Sequence, residues 1–192
     1  SEEERAVIET RRRRKPALPR RESLLYPVVA VVIVVVLVLV VVYNPGQQSH
    51  EPTTAPDFTL TSSDGEQVHL ADYRGNVILL DFMDTDCHFC QEETAEVLVP
   101  LHAAYGSRVV FISVDVGFVG DSDTFGDIIT FKAFYGATWT YVLDDGTVAQ
   151  KYGVTGTPTT FLLKKDLTVH STFRGMTDYD TLSASLDAAL GG

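Results

Sequence analysis

Val77-Ile-Leu-Leu-Asp81-Phe-Met-Asp84-Thr-Asp86-Cys87-His88-Phe89-Cys90 is an apolar, strand-like run that stops at two cysteines in C-x-x-C spacing. The following Gln91-Glu-Glu-Thr-Ala-Glu-Val-Leu-Val99 has helical character. A strand that hands a cysteine pair to a helix start sets the first sulfur beside unpaired N–H groups. It also sets it at the positive end of the helix dipole, and both favour a thiolate. Two intervening residues allow a short disulfide across the first helical turn. One thiolate can then attack a substrate disulfide, and the second can resolve the mixed disulfide.

The chain has 192 residues, 15 basic and 26 acidic, for a net charge of −11. The charge is unevenly placed: residues 1–23 hold eight Arg/Lys against five Asp/Glu, whereas residues 44–192 hold seven against twenty-one. An acidic domain argues against nucleic acid as a partner, since that needs a basic face. Without its first ~55 residues the chain is one ordinary domain with room for a single core.

Leu24 to Tyr43 is a run of 20 residues without charge, mostly valine. At about 1.5 Å per residue it would span about 30 Å, a bilayer core. A cleaved signal peptide is the competing reading, but its apolar region is usually about 7–15 residues long and ends in small residues. Here Tyr43-Asn44-Pro45-Gly46 follows, so a retained transmembrane helix is expected. Arg11 to Lys15, Arg20 and Arg21 precede the span, and no Lys or Arg follows it until Arg74. The positive-inside rule then puts the tail in the cytoplasm and the domain outside. The expected divisions are a basic tail at 1–23, the membrane helix at 24–43, a linker at 44–56 and one folded domain at 57–192.

Within that domain, Asp57–Leu60 and Gln67–Leu70 flank Ser63-Asp64-Gly65-Glu66 and predict a hairpin. Strands are expected at Val77–Met83, Arg108–Asp115, Trp139–Leu143 and Thr159–Leu163, with Leu167–Phe173 closing a second hairpin. Helices are expected from the cysteines to Tyr105, at Asp127–Tyr135, at Val148–Tyr152 and at Asp178–Leu190. Strands alternating with helices, then an antiparallel hairpin, mean an α/β fold: a mixed sheet with helices on both faces.

These residues resemble the thioredoxin superfamily, and within it the membrane-anchored TlpA/ResA-like group. The resemblance rests on Ala55-Pro-Asp-Phe-Thr-Leu60, Leu70-Ala-Asp-Tyr-Arg-Gly75, Val77–Cys90, Gly153-Val-Thr-Gly-Thr-Pro-Thr-Thr-Phe-Leu162 and Gly175, in that order. It implies a thioredoxin-like fold with an N-terminal hairpin and a central helix–strand insertion, and a cis Thr157–Pro158 peptide facing the disulfide. It also implies that Cys87 attacks and Cys90 resolves, that Asp81 matches the buried acid of thioredoxin, and that Glu93 matches an acid after the second cysteine. The chain departs from the pattern where Asp86 replaces the usual Trp, Ala95 replaces a helix proline, and His88-Phe89 is an unusual dipeptide.

Other chemistries fit the cysteines less well. Zinc needs about four ligands, and the chain offers two Cys and scattered His, of which His50, His69, His102 and His170 show no ligand spacing. Haem attachment needs His after the second Cys, where Gln91 stands. A peroxiredoxin-like site would have Thr and Pro where Asp84 and Leu80 stand. Protonated His88 would lower the Cys87 pKa, whereas Asp84 and Asp86 would act oppositely. Asp86 reads equally as a helix N-cap and His88 as an exposed spacer. Glu92 and Glu93 read as first-turn residues that complement the dipole, and Trp139 as packing.

The sequence therefore predicts a single-pass membrane protein with an extracytoplasmic thiol–disulfide oxidoreductase domain, monomeric and free of metal or other cofactor. Cys87, Cys90, Asp81 and Pro158 are its expected catalytic residues, and His88, Phe89, Asp86 and Thr157 its substrate-binding or tuning residues. The resemblance implies reduction of protein disulfides, with apocytochrome c a candidate, and an upstream membrane thiol as electron donor. The alternatives are a disulfide-introducing oxidase and a non-catalytic metal chaperone.

Overall fold

In β3, Val77–Met83, all seven side chains are buried. A strand buried on both faces belongs in the middle of a covered sheet. The computed structural model, which describes residues 29–34, 53–120 and 122–191, places it there. A five-stranded sheet runs in the order β5-β4-β3-β6-β7. Its other strands are β4 (Val109–Asp115), β5 (Thr140–Leu143), β6 (Thr159–Leu163) and β7 (Val169–Arg174). β3, β4 and β5 are mutually parallel, and β6 and β7 are antiparallel to their neighbours. The expected hairpin forms a separate antiparallel pair, β1 (Thr59–Thr61) with β2 (Gln67–His69).

Side chains alternate across a strand, so β3 feeds two cores. Val77, Leu79 and Met83 pack with Leu98, Leu101, Ile128, Phe131, Leu182 and Leu186. These partners come from the helix behind the cysteines, from α3 (Phe125–Tyr135) and from α5 (Tyr179–Leu190). Ile78, Leu80 and Phe82 face the other way, onto Phe58, Leu60, Val68, Val148 and Tyr152. The hairpin and the short α4 (Val148–Lys151) cover that second face. α3 and β5 stand between β4 and α4, where the resemblance puts a helix–strand insertion.

The helix behind the cysteines departs from a uniform α-helix. It runs as α1 (His88–Glu93), a widened π turn (Thr94–Leu98) and α2 (Val99–Tyr105). Pro100 accounts for the break: it has no N–H to give, and its ring would clash with the carbonyl a turn earlier. α3 begins two residues earlier than its apolar pattern suggests. Thr124 and Asp127 form a reciprocal capping box there, and Gly136 ends the helix at φ 72°.

Residues 29–34 are helical with exposed side chains. The rest of the expected span 24–43, the basic tail and the linker up to residue 52 lie outside the described residues. Among the described residues no helix is long and apolar enough to cross a membrane.

Candidate active site

Cys87 is the residue that caps α1. Its Sγ accepts the Cys90 N–H at 3.3 Å, so the first cysteine takes the N-cap position that Asp86 could have filled. Asp86 instead is exposed and gives its own N–H to Asp84 Oδ1 at 2.9 Å. Cys87 is 7% exposed and Cys90 1%, both as free thiols, so the accessible sulfur is the one at the helix start. The Cys87 Sγ donates to the Thr157 carbonyl at 3.7 Å, and Thr157–Pro158 is cis. Thr157 and Pro158 therefore face Cys87 directly.

Behind the sulfurs lie two buried acids. Asp81 is 1% exposed, and its Oδ2 accepts the Ser113 hydroxyl at 3.2 Å while Oδ1 has no hydrogen-bond partner. Burial pushes this carboxyl up to about 7, against the Ser113 hydrogen bond, which lowers it. Burial, then the hydrogen bond with Cys87, then the charge of Asp81 push the Cys90 thiol far above the ordinary thiol range. Glu93, read as a first-turn residue complementing the dipole, instead ends α1 at 1% exposure. Its Oε1 accepts the Thr177 N–H at 2.8 Å, and burial, then the Asp81 charge, raise its pKa to about 8.

A third acidic group braces the loop before the helix. Buried Asp84 accepts the Val119 N–H at 2.7 Å, and Asp123 accepts the Thr85 hydroxyl at 2.6 Å. Asp115 is buried beside them; burial, then the facing Asp123 carboxyl, push it up to about 9. Gly120 sits at φ 73°, a left-handed backbone that favours glycine, beside the Asp86 carboxylate. These contacts fold the segment from Gly117 to Gly120 against the active-site loop and leave Phe118 and Val119 about half exposed. Phe89, between the cysteines, is 59% exposed. His88 points outward, 3.2 Å from Glu92, which compensates its charge when it is protonated. Among the described residues no cluster of three or more His, Cys, Asp or Glu is arranged to hold a metal ion.

Sequence reasoning passed over Ser113, Thr177, Asp115 and Asp123, and read Trp139 as packing, which its place in the core bears out, without its hydrogen bond to Ser113. One signal was available: in β4, Ser113 and Asp115 are polar at alternate positions of a buried strand, which marks a polar stripe on one face.

A thioredoxin-like sheet that presents a C-x-x-C pair at a helix start, over a buried acid and beside a cis-proline, defines a thiol–disulfide oxidoreductase. Residues 52–172 match the AhpC/TSA family, and the chain belongs to that family. It is 31% identical over 139 residues to the thiol-disulfide oxidoreductase ResA of Geobacillus thermodenitrificans, covering 71% of this chain and 76% of that one. With ResA of Bacillus subtilis it shares 29% identity over 117 residues, 60% of this chain and 63% of the relative. A Chlorobium tepidum structure described as a thiol:disulfide interchange protein DsbE superposes with a TM-score of 0.64 at 30% identity, over 73% of this chain and 97% of that one. The dsbF protein of Mycobacterium tuberculosis does so at 0.61 and 26% identity, over 69% and 94%. Like its ResA relatives, the protein is a thiol–disulfide oxidoreductase with a thioredoxin-like domain.

Proposed function

We propose that this oxidoreductase works as a reductant of protein disulfides, held outside the cytoplasmic membrane by its N-terminal segment. The observation that carries the direction is the charge around the sulfurs. Asp81 and Glu93 are buried behind them, and Asp84, Asp86 and Asp115 stand in or beside the loop that precedes them. An oxidising dithiol owes its potential to a stabilised thiolate in the reduced form. Carboxyls that burial holds largely neutral near pH 7 give a thiolate no positive partner, and any that ionise oppose it. The thiolate therefore gains no stabilisation, the disulfide is favoured as the resting product, and the dithiol is a donor of electrons.

In the proposed cycle the Cys87 thiolate attacks a substrate disulfide, forming a Cys87–substrate bond and releasing one substrate thiol. Asp81 takes the Cys90 proton, Cys90 attacks Cys87 Sγ, and the second substrate thiol leaves. The dithiol loses two electrons, the substrate disulfide gains them, and Cys87–Cys90 closes. A buried acid whose pKa lies near the working pH suits this proton transfer. The apolar side chains around Cys87 suit a polypeptide substrate. Phe89 and Phe118 are exposed, and Met176 follows Gly175, whose N–H binds the Pro158 carbonyl at 2.8 Å.

The charge asymmetry about Leu24–Tyr43 supports the membrane anchor and its orientation, and the ResA relatives, named thiol-disulfide oxidoreductases, support the exchange chemistry. Apocytochrome c is the candidate substrate, a membrane thiol the candidate electron source, and a monomer the working form. A single experiment tests both location and direction. In untreated intact cells, a membrane-impermeant thiol reagent should label Cys87, because a reductant is kept reduced outside the membrane. Labelling only after lysis would reverse the orientation, and labelling only after added dithiothreitol would indicate an oxidase.

A further inference from the structure

Ser113 lies beside Asp81 in the sheet register, and Tyr141 lies beside Ser113 on the next strand. Trp139, just before β5, is 6% exposed and gives its indole N–H to Ser113 Oγ at 2.9 Å. An indole N–H can only donate, so it occupies a lone pair of the hydroxyl. The single Ser113 hydrogen remains for Asp81 Oδ2, 3.2 Å away. The indole is itself wedged, 5.6 Å from the Tyr141 ring, 5.1 Å from His102 and 5.9 Å from Phe111.

We propose that Trp139 and Ser113 are positioning residues for the reaction: the indole fixes the hydroxyl, the hydroxyl holds Oδ2 of Asp81, and Oδ1 is left to receive the Cys90 proton. The inference rests on the reading of Asp81 as the base for Cys90. The polarity of the chain runs one way, from a donor that cannot accept, through a hydroxyl, to a carboxylate. It therefore favours the ionised form of Asp81, opposing a burial that favours the neutral one. The titratable groups facing Asp81 are Cys90 and Glu93 from α1 and Tyr141 from β5. β6 offers only the hydroxyl of Thr160, its register partner. His102 packs against Trp139, and burial lowers its pKa, which favours the uncharged ring.

The test follows the resolving step by the absorbance of a chromogenic aromatic disulfide, whose first thiolate leaves on Cys87 attack and whose second leaves when Cys90 resolves. The rate of the second release is recorded against pH in the wild type, Ser113→Ala, Trp139→Phe, Asp81→Asn and Ser113→Ala/Asp81→Asn. Losing a hydrogen bond to a carboxylate should move the midpoint up by about one pH unit in Ser113→Ala. Trp139→Phe, which keeps the hydroxyl but frees it, should move it up by less. Adding Ser113→Ala to Asp81→Asn should move nothing. An unmoved or lowered midpoint in the folded single variants, or the same shift in the Asp81→Asn background, would overturn the relay. An Asp81→Asn protein that resolves as fast as wild type would instead overturn the base on which the relay rests. If one single variant does not fold, the other still carries the test, because each breaks a different link.

Discussion

Replacing Cys90 by serine should freeze the enzyme on its substrates, each held through a mixed disulfide to Cys87. The expectation follows from the unequal placing of the two sulfurs. Cys87 caps the helix beside Thr157 at 7% exposure, whereas Cys90 lies beneath it at 1% with its thiol held protonated by burial. Only Cys87 can meet an incoming disulfide, and only Cys90 is placed to displace it. A serine hydroxyl is no substitute for the thiolate in exchange, so turnover stops after the first step. Non-reducing electrophoresis of Cys90→Ser should show protein-linked adducts that vanish on reduction. Cys87→Ser should show none, and adducts in that variant would reverse the assignment.

Asp81→Asn should make the protein more stable at neutral pH and slow its chemistry. The carboxyl is neutral in the folded protein until about pH 7, whereas in the unfolded chain it ionises near 4. Below about pH 4 both states are protonated and Asp81 contributes no pH dependence. As pH rises from about 4 to about 7 the unfolded state alone loses its proton, so folding stability falls by about 1.4 kcal/mol per unit. The accumulated cost above pH 7 is at most about 4 kcal/mol, and asparagine, which does not ionise, escapes it. Glu93 and Asp115 impose slopes of the same sign, so the difference between variant and wild type isolates Asp81. Denaturant titrations at pH 4 and pH 8 should give a gap that opens only at the higher pH. The resolving step should slow on the order of 100-fold, the usual contribution of a positioned base. A variant less stable at pH 8, with an unchanged rate, would make Asp81 a structural hydrogen-bonding residue.

Much of this arrangement could be read from the chain, for physical reasons. The β3 run is apolar on both faces, which only a central strand tolerates, and Asp81 stands out within it as the one charge before the strand end. The cysteine spacing and the helix behind it bound the site equally well. What escaped depends on tertiary placement. Glu93 sits one turn into a helix, where an acid is ordinary, and its hydrogen-bond partner Thr177 comes from 84 residues away. Trp139 reads as packing because a periodic pattern does not say where an indole N–H points. Asp123 and Thr85 are both loop residues, and their 2.6 Å contact is invisible to local patterning. The π turn has a local cause in Pro100, yet apolar periodicity alone does not separate it from α-helix.

The direction of electron flow is the center of this account, and the reduction potential of the Cys87–Cys90 pair tests it most directly. Equilibration of the purified domain against glutathione and dithiothreitol buffers at pH 7, read by thiol alkylation, gives that potential. The acidic surroundings of the sulfurs predict a value near that of thioredoxin, about −270 mV. A value near about −120 mV, that of a strong disulfide-forming oxidant, would contradict the account.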